Sequence, residues 1–313
     1  MYGPGAPMAI APHSSHNLSP MRFPRFKRRT KLALLVVLAG GYLSLVLSGC
    51  IGDRLVLGKN TAAIPTPAAH RQTIHVGRWE VECWVEHSAS DKPATDASDP
   101  PAGYVIFLVG KEARVEQWID LVSQDVWRNR NVEIWGMNSP GSGSGPDLGP
   151  ARLNRVGPAA LATYDAVKRL AGDRPIFVQA GSFGTTAALC IAARRPVAGL
   201  LLANPPPLRQ LILGHYGWWN AWLLALPVSM ELPADLDSIA NARNCFAPAV
   251  FVLSGADTII PPRYHDLVYN AYAGPKRRID MPGIGHDGPL SHAASVEQAY
   301  DVEWLWRQAM GSK

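Results

Sequence analysis

The stretch Pro175-Ile-Phe-Val-Gln-Ala-Gly-Ser182-Phe-Gly184-Thr-Thr-Ala-Ala-Leu decides the reading of this chain. Pro175–Gln179 is an apolar run of strand length, and Thr185–Arg194 has helical composition. Only three residues, Ala180, Gly181 and Ser182, separate the strand from the turn that starts the helix. A serine there sits in a strained bend with its hydroxyl projecting from the sheet edge. Its neighbours two residues away must be small, because strand and helix almost touch at such a turn. The hydroxyl also lies at a helix N-terminus, where unsatisfied N–H groups and the helix dipole favour developing negative charge. Taken alone, Gly-Ser-x-Gly is equally compatible with a plain loop.

Two further stretches bear on that choice. Strand-like Val250–Leu253 runs into Ser254-Gly255-Ala256-Asp257-Thr258-Ile259-Ile260-Pro261-Pro262, and strand-like Arg278–Met281 into Pro282-Gly283-Ile284-Gly285-His286-Asp287. Each places one titratable side chain just after a strand, in the order Ser182, Asp257, His286. Asp257 alone reads as a turn residue and His286 alone as a loop histidine; together with Ser182 they form a nucleophile, an orienting acid and a base. His292 stands at a helix start. His265 is expected on a helix surface after the proline pair, and His215 falls in an apolar excursion.

These three stretches resemble the α/β-hydrolase superfamily: a G-x-S-x-G nucleophile elbow with Ala180 for the first glycine, a G-x-x-D-x-x-[VI]-P stretch at Asp257, and a G-x-x-H loop at His286. The resemblance covers roughly Tyr104 to Met310. It implies an α/β fold with a mostly parallel central sheet, helices on both faces and a small helical cap. It also implies hydrolysis of a carboxylic ester or thioester by a Ser182–His286–Asp257 triad, without metal or organic cofactor. The oxyanion donors it implies are the N–H groups of Phe183 and Lys111, with Glu112 as second choice. Asn138-Ser-Pro-Gly-Ser-Gly-Ser-Gly145 resembles the family's D-x-P-G-x-G-x-S loop, expected to pack around the elbow. Its glycines fail the dinucleotide spacing G-x-G-x-x-G. The helix after Ser182 and the segment from Asp257 to His286 look most like depalmitoylases and acyl-protein thioesterases. A peptidase or lipase on the same triad, and a non-catalytic scaffold, remain alternatives.

The wider sequence agrees with an α/β domain. Strand-length apolar runs at Tyr104–Val109, Val132–Trp135 and Val197–Leu202 alternate with helical periods, the last at Val296–Met310. Two short strands, Thr73–Val76 and Trp79–Val85, precede them, and Ser88–Ala102 is a polar loop. Pro205–Phe246 is too long for a connection and too apolar for a solvated loop, so it reads as the cap. Trp218, Trp219 and Trp222 within it are candidate substrate-pocket residues.

The chain of 313 residues has 30 Lys+Arg against 25 Asp+Glu, a net charge of +5. Residues 1–49 hold six basic side chains and no acidic one, so the remainder is almost neutral and nucleic-acid binding loses its support. Arg22–Lys31 is a basic region, and Leu32–Ser48 an uncharged apolar run ending in Leu47-Ser48-Gly49-Cys50. That order is an export signal, and its end resembles a bacterial lipobox with Cys50 as lipid acceptor. An uncleaved membrane anchor is the alternative. Either places the following domain outside the cytoplasm, on the periplasmic or surface side of the envelope. Translation from Met21 fits a signal of ordinary length. Residues 50–70 read as a tether and 71–313 as the domain. Cys83 and Cys245 could pair in an oxidising compartment; Cys190 reads as a buried apolar residue. The expected partners are an ester substrate, small or lipid-like, and a membrane held through lipid.

Overall fold

A computed structural model describes residues 28–47, 49–65, 70–91, 100–145 and 148–311. Met21, Arg22, Arg25, Lys27, Ser48, Pro67, Pro146 and the side chain of Trp222 lie outside the described residues. Two compact units divide at Ser44. The first contains most of α1 (Arg28–Leu47). Among the described residues no helix is long and apolar enough to cross a membrane.

The second unit is built on an eight-stranded sheet: β1 (His70–Val76), β2 (Trp79–His87), β3 (Gly103–Leu108), β4 (Val132–Met137), β5 (Ile176–Gly181), β6 (Gly199–Ala203), β7 (Ala249–Ser254) and β8 (Lys276–Met281). The spatial order is β1-β2-β4-β3-β5-β6-β7-β8. β2 runs antiparallel to both β1 and β4, and all other pairings are parallel.

The strand sequences explain why helices must cover both faces. Every residue of β3 and β7 is buried, as expected for central parallel strands with no solvent face. The side chains of β3 sort by alternation. Tyr104, Ile106 and Leu108 join the layer containing Val156 and Tyr164 of α4 (Leu153–Ala171) and Leu189 of α5 (Gly184–Ala192). Val105 and Phe107 join the opposite layer, with Ile119 and Val122 of α3 (Ile119–Gln124) and Val302 and Leu305 of α10 (His292–Met310).

Between β6 and β7 the chain makes α6 (Leu208–Leu211), two wide turns over Ile212–Tyr216 and Ala221–Ala225, α7 (Leu226–Met230) and α8 (Ser238–Ala242). α9 (Pro262–Ala271) follows β7. α6, the two turns and α7 line the cavity that holds Ser182, while α8 packs against α5 and α9.

The first part of the expected tether is folded. The short helix α2 (Cys50–Gly52) leads into a wide turn over Asp53–Leu57. Val56 and Leu57 are buried in the α4 layer. Asp53 accepts the Leu153 N–H at 2.6 Å and pairs with Arg152 at 3.1 Å, while the Gly52 N–H donates to Glu231 of the cap at 3.0 Å. The apolar pair Val56-Leu57 supplies burial that Pro65, further along, does not cancel.

Cys83 and Cys245, whose pairing the sequence left open, form no disulfide. Cys83 lies buried on β2 against Thr163 and Cys245 lies buried after α8, donating to backbone carbonyls of Leu189 and Asn241. Both are buried in the same apolar layer, each against different neighbours. Cys190 is buried on α5.

Candidate active site

Ser182 directly follows β5 with φ 50°, in the left-handed region that costs a non-glycine residue strain. The bend is fixed from both sides: the Ser182 N–H donates to the Ala203 carbonyl at 2.8 Å, and its carbonyl accepts from the Thr185 N–H at 3.0 Å. Gly184 permits the helix to start there. A Cβ at that position would lie 2.5 Å from the Leu108 carbonyl oxygen and 2.6 Å from that of Val109. The small-residue requirement read from the sequence is therefore a clash with the β3 backbone.

Asp257 and His286 arrive from the ends of β7 and β8. The Gly255 N–H bonds the Met281 carbonyl and the Ala256 N–H that of Ile284, both at 2.9 Å, so the two loops are tied together. His286 Nδ1 lies 2.6 Å from Asp257 Oδ2, and its Nε2 lies 2.9 Å from Ser182 Oγ. Asp257 Oδ1 accepts the N–H groups of Ile259 at 2.9 Å and Ile260 at 2.8 Å. The structure thus brings Ser182, His286 and Asp257 into one hydrogen-bonded line.

The electrostatics follow from this geometry. Burial pushes the Asp257 carboxyl upward, but the close approach of His265 at 3.3 Å and hydrogen bonds from His286 and the Ile260 N–H outweigh it and hold the group ionised, below the usual carboxylate range. The hydrogen bond to Asp257 raises the His286 pKa above its ordinary value, against opposing desolvation.

Phe183 and Lys111 line the same cavity as Ser182. A Cβ on Gly110 would stand 3.4 Å from Ser182 Cβ, so the loop after β3 passes beside the serine. Asn60 Nδ2 donates to the Glu112 carbonyl at 2.7 Å, which braces that loop from the N-terminal segment. The cavity measures about 410 Å³, within the range of small-molecule sites. Leu55, Leu211, Ile212, Leu224, Val228 and Ile260 make it strongly apolar.

Trp218 and Trp219 do not line this cavity; both are largely exposed. The turn that carries them points its aliphatic neighbours inward and leaves the indoles outside. His265 is fully buried on α9, not on its surface, and faces Asp257. Asn138 does not point its side chain at the elbow. It accepts the Val115 N–H and donates to Glu82 and Glu116, closing a buried cluster with Arg114.

Three features of the site were missed from sequence, one of them a segment carrying two residues. Leu55 and Val56 form a cavity wall from the segment read as tether. Asn204, at φ 49°, accepts the Ser254 N–H at 2.8 Å and donates to Ser254 Oγ and the His286 carbonyl. Asparagine tolerates that backbone conformation better than most residues, and its place directly after an apolar strand was the available signal. The third is His265. Among the described residues no cluster of three or more His, Cys, Asp or Glu is placed to hold a metal ion.

Comparison with known proteins bears on the fold. No family model matches the chain. Over 109 residues, 34% of its length, it is 32% identical to an uncharacterized protein of Mycobacterium tuberculosis H37Rv and to one of strain CDC 1551. That match spans about a third (36%) of each relative. Among solved structures, Est1E from Butyrivibrio proteoclasticus superposes with a TM-score of 0.58 at 14% identity, covering 77% of this chain and 99% of that one. A puromycin hydrolase S511A mutant complexed with PGG gives 0.57 at 17%, covering 80% of this chain and 41% of the other. The chain has the α/β-hydrolase fold. A cold-adapted esterase from an Arctic intertidal metagenomic library shares the fold as well, at TM-score 0.53 and 16% identity over 79% of this chain and 96% of that chain. At these identities the likeness is one of α/β-hydrolase architecture, and activity has to be argued from the site.

Proposed function

We propose that the protein is a serine hydrolase cleaving carboxylic esters or thioesters with an apolar acyl group, as depalmitoylases and acyl-protein thioesterases do. The observation that carries the reading is the line Ser182 Oγ–His286 Nε2, 2.9 Å, and His286 Nδ1–Asp257 Oδ2, 2.6 Å, with the hydroxyl facing an apolar cavity.

In this account Ser182 Oγ attacks the acyl carbonyl while its proton passes to His286 Nε2. Asp257 holds the ring orientation and stabilises the imidazolium. The N–H groups of Phe183 and Lys111 receive the oxyanion, a role worth about 2.7–4 kcal/mol per donor in related chemistry. His286 then protonates the leaving alkoxide or thiolate. Water, deprotonated by the same ring, attacks the acyl-enzyme and releases the acid.

The cavity wall favours acyl chains over charged peptides: among the described residues that line it, Lys111 alone carries a charge. Peptidase action is the competing reading, since fold neighbours include a puromycin-hydrolyzing peptidase of Mycobacterium tuberculosis and a Pyrococcus horikoshii acylaminoacyl peptidase. A panel of p-nitrophenyl esters of increasing chain length, run beside acylaminoacyl anilides, separates the two. The account expects kcat/KM to rise with acyl length and Val228→Trp to cut the optimum short; preference for the anilides contradicts it.

The same proposal places the domain outside the cytoplasm, held to a bacterial membrane through lipid on Cys50. Its support is the basic, apolar, small-residue order ending in Leu47-Ser48-Gly49-Cys50, together with the exposure of Cys50. Mass spectrometry of the membrane fraction tests it: a diacylglyceryl adduct on Cys50 is expected, and an unmodified thiol overturns it.

A further inference from the structure

A group of large apolar side chains that the fold leaves outside stands beside the cavity. Trp218 is 82% exposed and Trp219 69% exposed. They occupy the turn between Ile212–Tyr216 and Ala221–Ala225, the two wide turns that supply Ile212, Tyr216 and Leu224 to the cavity wall. Leu55, Tyr216, Leu223 and Ile259 are each about half exposed or more. Leu55, Tyr216 and Ile259 also line the cavity, and Tyr216 Oη donates to the Ile259 carbonyl at 2.8 Å, closing the rim across two loops. The exposed surface is therefore continuous with the cavity interior. Contiguous apolar surface of this kind mediates contact with a partner or a membrane.

The chain itself identifies the occupant. Leu55 on the rim is only eight residues from Leu47, the end of an apolar run preceded by Arg28, Arg29 and Lys31. Eight extended residues reach at most about 28 Å, and the folded turn over Asp53–Leu57 shortens that. Cys50 is nearer still, on α2, whose Gly52 N–H is bonded to Glu231 next to α7 of the cap. Whether the chain is held by that run or by lipid on Cys50, the attachment point and the cavity rim lie within a few residues of each other. Paired indoles at a rim suit the interface of a bilayer, where an aromatic ring buries its face and keeps its N–H wet.

We infer that Trp218, Trp219, Leu223 and Leu55 form a face that docks on the lipid bilayer and opens the cavity directly to it, so that the acyl substrate enters from the membrane. The docking rests on this surface and on the attachment proposed above at Cys50 or the run before it; the entry of substrate rests on the hydrolase reading above.

The test uses the full chain reconstituted in phosphatidylcholine vesicles, with and without doxyl-labelled lipid. Indole quenching is expected in the wild type and should be mostly lost in Trp218→Ser/Trp219→Ser. The same variant should hydrolyse water-soluble p-nitrophenyl acetate at the wild-type rate. It should lose about tenfold or more in kcat/KM on a long-chain ester embedded in the vesicle, the loss expected when roughly one large apolar contact is removed. Equal quenching in both proteins overturns the docking. So does a wild-type dimer that the double variant converts to monomer without change in quenching, since the face would then belong to a second copy. Quenching that depends on the indoles, with no ester hydrolysis by the wild type, leaves the docking standing and removes the hydrolase reading instead.

Discussion

His265 Nε2 lies 3.3 Å from Asp257 Oδ2, the same oxygen that meets His286 Nδ1 at 2.6 Å. Two imidazoles therefore share one carboxylate oxygen, and both they and the carboxylate are well shielded from solvent. A donor or a positive charge at His265 draws on the negative charge that otherwise supports the His286 cation.

The pH consequence has a definite sign. The proposed base must be neutral to take the Ser182 proton, so activity falls as pH drops through the His286 pKa, which lies above the ordinary imidazole value. Removing His265 leaves the whole of Asp257 Oδ2 to His286 and raises that pKa further; Asp287, whose charge acts in the same direction, is unchanged. His265→Ala should shift the acid limb of kcat/KM to higher pH while retaining most of the plateau rate. Asp257→Asn should cost about four orders of magnitude in kcat. Stability runs the other way: a raised folded-state pKa means the His286–Asp257 pair stabilises the fold fully below about pH 6.5 and loses that contribution as pH rises through the folded value. A pH–rate profile beside a pH–melting profile checks both.

Gly184→Ala should be among the most damaging single-methyl additions in the chain. The new Cβ would approach two backbone oxygens of the β3 end within 2.6 Å, and backbone cannot rotate away as a side chain can. A loss of about 1–3 kcal/mol or more is expected, read as a fall in Tm, with a loss of activity as the elbow is displaced. Gly181→Ala is the control: nothing stands within 4 Å of its Cβ.

Arg114 is buried between Glu82 at 3.5 Å and Glu116, with a further bond to Ser144 at 2.7 Å. Burial would push the Glu82 carboxyl upward, but the Ser144 N–H, Arg71 and Trp84 hold it below its ordinary range, so it stays charged. Arg114→Leu leaves two buried carboxylates without their shared cation. Destabilisation of about 3–5 kcal/mol is expected in denaturant titration. The double variant Glu82→Gln/Arg114→Leu should recover part of it.

Thiol chemistry reports on the N-terminal segment. Burial pushes Cys83 and Cys245 up to about 12 and Cys190 up to about 11, so these three thiols should resist alkylation in the native protein. Cys50 is exposed. One reactive thiol per chain is expected in protein whose Cys50 is unmodified, none in Cys50→Ala, and four after denaturation of the unmodified chain. A count of iodoacetamide adducts by mass spectrometry decides it.

The legible parts of this molecule were those in which one local rule fixes one residue type. The elbow could be read because a strained bend against a strand excludes side chains at Gly184, and the strands because β3 and β7 are apolar on both faces. Asp257 and His286 stood out because each comes just after a strand, β7 buried throughout and β8 half-exposed at the sheet edge. What stayed hidden depends on contacts between distant segments. Val56 and Leu57 look like linker until α4 is beside them, and Cys83 and Cys245 could be partners until each is seen as a buried thiol with other neighbours, Thr163 for one and Leu189 and Asn241 for the other. Trp218 and Trp219 match a cavity by composition, yet the turn that carries them faces outward. His265 has the sequence surroundings of a surface residue and a fully buried position.

On the proposed mechanism, everything depends on Ser182 being a nucleophile activated by His286. Labelling with a fluorophosphonate, followed by peptide mapping, tests it most directly. The account predicts one adduct, on Ser182, absent from Ser182→Ala and nearly absent from His286→Ala, with ester hydrolysis falling about a million-fold in Ser182→Ala and Tm little changed. An unlabelled wild-type protein, or full esterase activity in Ser182→Ala, would contradict it.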